Sequence, residues 1–263
     1  MAPVAAPGVH VSARAALEAS DLSLHFGGLR AVDGVNIAVA HGARHALIGP
    51  NGAGKTTVIN LLSGVLDADA GRILLDGEDI TGVAPYRRVA RGLARTFQIN
   101  QLFGDLTPLE TIGLAVSERK GGGADWWRTA GSEAEIDVEI ADTLTRFHLA
   151  DVMNERVVRL PYGKQRLVEI ALAIACRPRV LLLDEPAAGV PEDERHEILA
   201  AVAALPREVT VLFIEHDMDL VFSIAERITV MVNGRVFTEG TPDEVERDPR
   251  VKAVYLGEES AVA

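Results

Sequence analysis

The chain has 263 residues, 48% hydrophobic and 24% charged, which is an ordinary globular composition and length enough for a large domain or a core carrying a subdomain. A formal net charge of -12 disfavours a general nucleic-acid-binding surface, because phosphate backbones bind basic faces. The single cysteine, Cys176, excludes an internal disulfide and suits a reducing compartment.

The first residues, MAPVAAPGVHVSARAALEAS, have neither a charged start nor a long apolar segment. They read as a loose tail over 1–17 and not as a secretory signal. No uncharged apolar stretch reaches the ~18 residues needed to span a bilayer, so a membrane role is expected to run through a partner. Leu22, Leu24 and Phe26 then alternate as in a half-buried strand, and 35–40 is expected to pair with it. RHALIGP reads as a buried strand entering a Gly-rich turn, followed by a helix over 55–66. RILLDG (72–77) and LARTFQ (93–98) read as further strands.

From 99 to 175 the signals turn helical, broken by GGG at 121–123. Ser132 with Glu135 forms a capping box, and Ile136, Ile140, Leu144 and Phe147 mark one helix face. Strand–helix alternation resumes with VLLLDE (180–185), a helix after Pro191, and VTVLFIEH (209–216). Asn233-Gly234 between apolar runs predicts a hairpin. Thr241, Pro242 and Glu244 open a final capped helix. The expected organisation is an α/β core over 18–98 and 176–263, interrupted by a helical subdomain over 99–175.

GPNGAGKT fits G-x-x-x-x-G-K-[ST] between a strand and a helix. Gly49, Pro50, Asn51, Gly52, Ala53, Gly54, Lys55, Thr56 and Thr57 are the candidate phosphate cradle. Glycines let backbone N–H groups wrap phosphates, Lys55 would reach the β- and γ-phosphates, and the Thr56 hydroxyl would ligate Mg²⁺. Asp184 and Glu185 follow an apolar run; the first is placed to hold the Mg²⁺ shell and the second to polarise a water for attack on the γ-phosphate. Gln98 reads either as a solvated loop residue or as a ligand for Mg²⁺ or the attacking water. His216 is either a strand-end histidine or a γ-phosphate contact, and Phe26 either core or a partner for adenine. Trp126 and Trp127 read as packing residues of the insertion or of a partner contact.

Together these motifs resemble the ATP-binding subunit of ABC transporters, from about residue 18 onward. The resemblance rests on the phosphate loop at 49–57, a glutamine loop at Gln98, a signature turn in LPYGKQR (160–166), DEP at 184–186 and a histidine loop at His216, in that order. FGGLRAV, DEPAAG, IEHDM and VYLGE are similar to the branched-chain amino-acid uptake branch. The family implies an α/β P-loop ATPase core with a mixed sheet, an N-terminal antiparallel β region and an inserted helical subdomain. It further implies a head-to-tail dimer in which each ATP is held by one subunit's phosphate loop and the other's signature turn: here Leu160, Pro161, Tyr162, Gly163 and Lys164. Phe26 would then stack on adenine, Glu185 act as general base and His216 sense the γ-phosphate.

Two departures stand out. The usual signature is Leu-Ser-Gly-Gly-Gln, and here Pro161, Tyr162 and Lys164 replace the Ser, first Gly and Gln. A hydroxyl bonded to a charged phosphate contributes ~1.5–3 kcal/mol, so its loss would slow turnover by roughly ten- to a hundredfold, with Lys164 and the helix N-terminus offsetting part of it. Pro191 also stands where the family has Asp or Asn. These departures favour a heterodimer with a second ATP-binding subunit over a homodimer. The resemblance implies two transmembrane permease subunits, an extracytoplasmic solute-binding protein, a place at the cytoplasmic face of the bacterial plasma membrane, and uptake of branched-chain amino acids or a related small polar solute. Urea, amides and aromatic acids are alternative cargoes. A soluble ABC-type ATPase, a P-loop kinase and a binding-only subunit are the rival readings.

Overall fold

The computed structural model describes residues 15–96, 104–121 and 133–259. Two sheets form the frame. Strands β1 (Ala15–Phe26), β2 (Leu29–Ala40), β4 (Ala70–Leu75) and β5 (Glu78–Asp79) make an antiparallel sheet in the order β2-β1-β4-β5. The second sheet is mixed, in the order β10-β9-β3-β8-β7-β6, from β3 (Arg44–Ile48), β6 (Leu93–Arg95), β7 (Val180–Asp184), β8 (Thr210–Ile214), β9 (Arg227–Val232) and β10 (Arg235–Gly240). All neighbours in it run parallel except β9 and β10, which form the hairpin expected at Asn233-Gly234. Both turn residues have positive φ, 49° and 77°, as a tight hairpin turn requires.

β1 begins at Ala15 and buries Ala16 and Leu17, so residues 15–17 belong to the sheet and not to the tail predicted over 1–17. The alternation at Leu22 and Leu24 marks only its second half. Helix α1 (Lys55–Ser63) stops short of Leu66 because Gly64 adopts a left-handed φ of 79° and caps it. After α2 (Pro85–Ala90), the central region contains α3 (Pro108–Arg119), α4 (Glu133–Arg146) and α5 (Tyr162–Ala175). The remaining helices are α6 (Glu192–Ala203), α7 (Met218–Ile224), α8 (Pro242–Arg247) and α9 (Pro249–Glu259). The predicted capping box at Thr241 and Glu244 is present. The predicted Ser132 cap, Trp126, Trp127 and Gln98 lie outside the described residues.

The mixed sheet separates two cores. Val180 and Leu182 of β7 face the antiparallel sheet and α1, while Leu181 and Leu183 face the helical region, the period-two split of a strand buried on both sides. The α4 face predicted from the sequence joins the second core: Ile140, Leu144 and Phe147 are buried in the same cluster as Leu181 and Leu183, with Ile136 packed against them.

Candidate active site

β3 is fully buried and delivers the chain into the Gly-rich loop at the carboxyl edge of the mixed sheet. Gly49 and Gly54 have φ of 149° and 97°, and a Cβ at either would collide with a backbone carbonyl, of Met231 and Ala31 respectively. These close approaches require glycine at both positions whatever the loop binds. Gly234, in the β9–β10 turn, donates its N–H to Ala53 at 3.0 Å and braces the loop from behind. Lys55 is buried, its ammonium donating to the carbonyls of Gly49 at 2.6 Å and Pro50 at 3.0 Å. It is therefore folded over the loop it would serve. Thr56 is exposed beside it at the start of α1.

At the end of β7, Asp184 is almost buried, and Arg95 of β6 donates to its Oδ2 at 2.9 Å. Burial raises its pKa from the usual carboxylate range, and the Arg95 charge opposes that rise. A buried carboxylate and an exposed hydroxyl are hard oxygen donors, few in number, and Mg²⁺ is commonly held by one or two such protein groups plus phosphate and water. The residues present fit that ion. The next residue, Glu185, sits at φ 51° and donates its N–H to Ile214 at 3.0 Å. His216, just past β8, places Nε2 2.7 Å from Glu185 Oε1. The parallel pairing of β7 with β8 brings the two together: Asp184 is opposite Ile214, which puts residues 185 and 216 at one sheet edge.

Glu215, between them, was not anticipated. It is buried, burial raises its pKa, and it accepts hydrogen bonds from the N–H groups of Ala187 at 3.0 Å and His216 at 3.3 Å. It holds the two post-strand turns against each other. Phe26 closes β1 and is 51% exposed, so it is a surface ring available to a planar partner and not a core residue.

The signature turn opens α5. Leu160 is buried and Pro161 occupies the N-cap of α5 with no side chain capping it. The Gly163 N–H donates to Glu194 Oε2 of α6 at 3.1 Å, and a Cβ at 163 would collide with that carboxylate. Tyr162 lies against Gly189, and the Arg166 guanidinium sits 5.6 Å from its ring centre. Lys164 does not face the turn as the sequence suggested: its ammonium donates to the His148 carbonyl at 2.6 Å and lies 3.3 Å from Glu197. The helical rotation past Gly163 carries it to the α6 side, where Glu197 neutralises it. Cys176 is half-buried with a thiol pKa raised by burial, the inert reading of that residue.

A Gly-rich loop between a buried parallel strand and a helix, with an aspartate and a glutamate following at the end of a strand two places away in the same sheet, defines a P-loop nucleoside triphosphatase. Residues 32–188 match the family described as ABC transporter, and 235–261 the one described as branched-chain amino acid ATP-binding cassette transporter. The chain belongs to the ABC transporter ATP-binding family. It is 42% identical to the high-affinity branched-chain amino acid transport ATP-binding protein BraF of Pseudomonas aeruginosa, over 93% of this chain and 99% of that protein. Against the corresponding LivG of Escherichia coli it is 39% identical over 92% and 98%. Among solved structures it is similar to an ATP-binding cassette of an ABC transporter in its ADP conformation, with a TM-score of 0.80, 32% identity and coverage of 92% of this chain and 99% of that one. A nucleotide-free cassette from an ABC transporter gives 0.79 and 31%, covering 92% of this chain and 98% of that one. The chain is accordingly an ATPase whose partners are membrane permeases. No helix among the described residues is long and apolar enough to cross a membrane.

Proposed function

We propose that this chain is the ATP-hydrolysing subunit of an importer for branched-chain amino acids or a closely related small solute. Its relatives carry that cargo in their names over nearly their whole length. The observation that carries the catalytic half is the Glu185–His216 contact of 2.7 Å at the sheet edge bearing the phosphate loop.

In this reading the loop N–H groups and Lys55 take the phosphates, Lys55 exchanging the Gly49 and Pro50 carbonyls for phosphate oxygens. Phe26 stacks on the base. Thr56, Asp184 and Gln98 would hold Mg²⁺, whose charge would offset that of the phosphates. Glu185 orients and deprotonates a water in line with the γ-phosphate, and His216 holds the Glu185 carboxylate and contacts the phosphate as it leaves. The Leu160–Lys164 turn serves a second ATP-binding subunit, with a heterodimer favoured. Two permeases and an extracytoplasmic binding protein complete the assembly at the cytoplasmic face of the plasma membrane.

The test is reconstitution of the chain with its second ATP-binding subunit, permeases and binding protein in vesicles, with leucine supplied outside. ATP hydrolysis and leucine uptake that rise together, and are both abolished by Glu185→Gln, support the reading. Hydrolysis that responds to urea, an amide or an aromatic acid but ignores leucine reassigns the cargo.

A further inference from the structure

The guanidinium of Arg95 is the one described cation bonded to the Asp184 carboxylate, and it is shared between three elements. One arm, Nη2, donates to Asp184 Oδ2 at 2.9 Å. The other, Nη1, donates to Asn60 Oδ1 at 2.6 Å and Ser63 Oγ at 3.1 Å, both on α1, the helix that the phosphate loop opens. The fork is anchored in turn: Ser63 donates to the Ile59 carbonyl at 2.8 Å, so it presents its lone pairs to Arg95. The side chains of Arg95 and Asp184 are 12% and 9% exposed, so water does little to screen or replace their contact. Arg95 itself ends β6, whose neighbour Thr96 donates its N–H to Leu182 of β7 at 3.0 Å.

We propose that Arg95 is a positioning residue for the metal-binding carboxylate. It clamps Asp184 through Oδ2 and ties the orientation of that carboxylate to α1 and to β6. The inference rests on the reading of Asp184 as an Mg²⁺ ligand. The planar fork matters, because it fixes one donor direction toward α1 and another toward Asp184, whereas the donors of an ammonium are not held in such a frame. Removing a partner that orients a metal-bound carboxylate commonly costs ~10–100-fold in metal affinity.

The experiment is equilibrium binding of ATP to wild type, Arg95→Gln and Arg95→Lys, each in EDTA and in Mg²⁺, with direct Mn²⁺ binding as a second readout. In EDTA, affinities are expected to stay within about twofold of wild type, because the Gly-rich loop and Lys55 are untouched. The gain on adding Mg²⁺, and Mn²⁺ affinity in the presence of ATP, are expected to fall roughly tenfold or more in Arg95→Gln and by less in Arg95→Lys. In an Asp184→Asn background, Arg95→Gln is expected to cause no further loss. A wild-type metal gain in Arg95→Gln overturns the proposal. So does equal loss in EDTA and Mg²⁺, which would make Arg95 a brace for α1 alone. If Arg95→Gln does not fold, Arg95→Lys decides: an undiminished metal gain overturns the clamp. Absence of any Mg²⁺ effect in wild type fails the underlying assignment of Asp184 instead.

Discussion

Glu185 adopts a left-handed φ of 51°, an unusual conformation for a side-chain-bearing residue, and its N–H is fixed to Ile214. That conformation is held by the surroundings, and it aims the carboxylate at His216. Glu185→Gln is expected to lower kcat by ~10²–10⁴ while leaving ATP binding intact, which rapid-quench turnover and nucleotide titration would separate. Gly163→Ala is expected to force Glu194 away from the α5 N-terminus and, in the assembled transporter, to reduce hydrolysis without changing nucleotide affinity at this chain's own loop. Lys55, Asp184 and Glu185 were legible in the sequence because contiguous chain defines their setting. Arg95 and Glu194 were not, since each acts on a residue far away in sequence and nothing nearby marks it out. Lys164 misled for a related reason: adjacency to the turn says nothing about which way a helix turns the side chain.

Elements carry two further consequences. The β9–β10 turn was readable from Asn233-Gly234, but its role as a brace for the phosphate loop depends on β3 and β9 lying side by side. Gly234→Ala would impose a left-handed conformation costing ~1–2 kcal/mol and bring a Cβ within 2.9 Å of the Ala31 carbonyl. It is expected to lower both the melting temperature and ATP affinity, whereas a substitution in an unconnected hairpin would lower only the first. The second consequence concerns His45 in β3, which is fully buried with Nε2 2.7 Å from Thr229 Oγ1, while Nδ1 has no partner. Thr229 donates onward to Glu239 at 2.9 Å, so His45 donates through Nε2 and is neutral. Burial depresses its pKa to about 4 from 6.5. The unfolded chain takes up that proton near 6.5 and the folded chain only near 4, so His45 leaves stability unaffected by pH above 6.5 and lowers it increasingly as pH falls toward 4. The full loss amounts to about 3 kcal/mol. Urea midpoints across that range should fall less steeply for His45→Asn than for wild type, even if the variant is weaker at every pH.

Over the whole molecule, the phosphate loop opens α1 and the signature turn opens α5, two different helices. The Pro161 N-cap offers no hydroxyl, and Glu197 engages the Lys164 charge that the sequence suggested as compensation. Pro161→Ser is therefore expected to raise hydrolysis at the partner's phosphate loop by roughly ten- to a hundredfold, the worth of one charge-assisted hydrogen bond, and to leave nucleotide binding at this chain's own loop unchanged. An unchanged assembled rate would mean that the α5 N-terminus alone suffices. The chain order of motifs made the α/β core and helical insertion legible. The sequence could not show how intimately the two would share one interior, because the faces of α4 and α5 carry no sign of what they pack against.

That shared interior limits how such a chain can be rebuilt. Leu181 and Leu183 are the floor of the core that also holds Ile140, Leu144, Phe147 and Leu167, while Val180 and Leu182 on the same strand are the ceiling of the other. The helical region is thus no interchangeable cartridge. A chimera that imports the helices of a relative but keeps this β7 would mate two unmatched surfaces, and would leave gaps or clashes of the kind that cost several kcal/mol. Successful grafts should be those that carry the helices and the underside of the sheet across together.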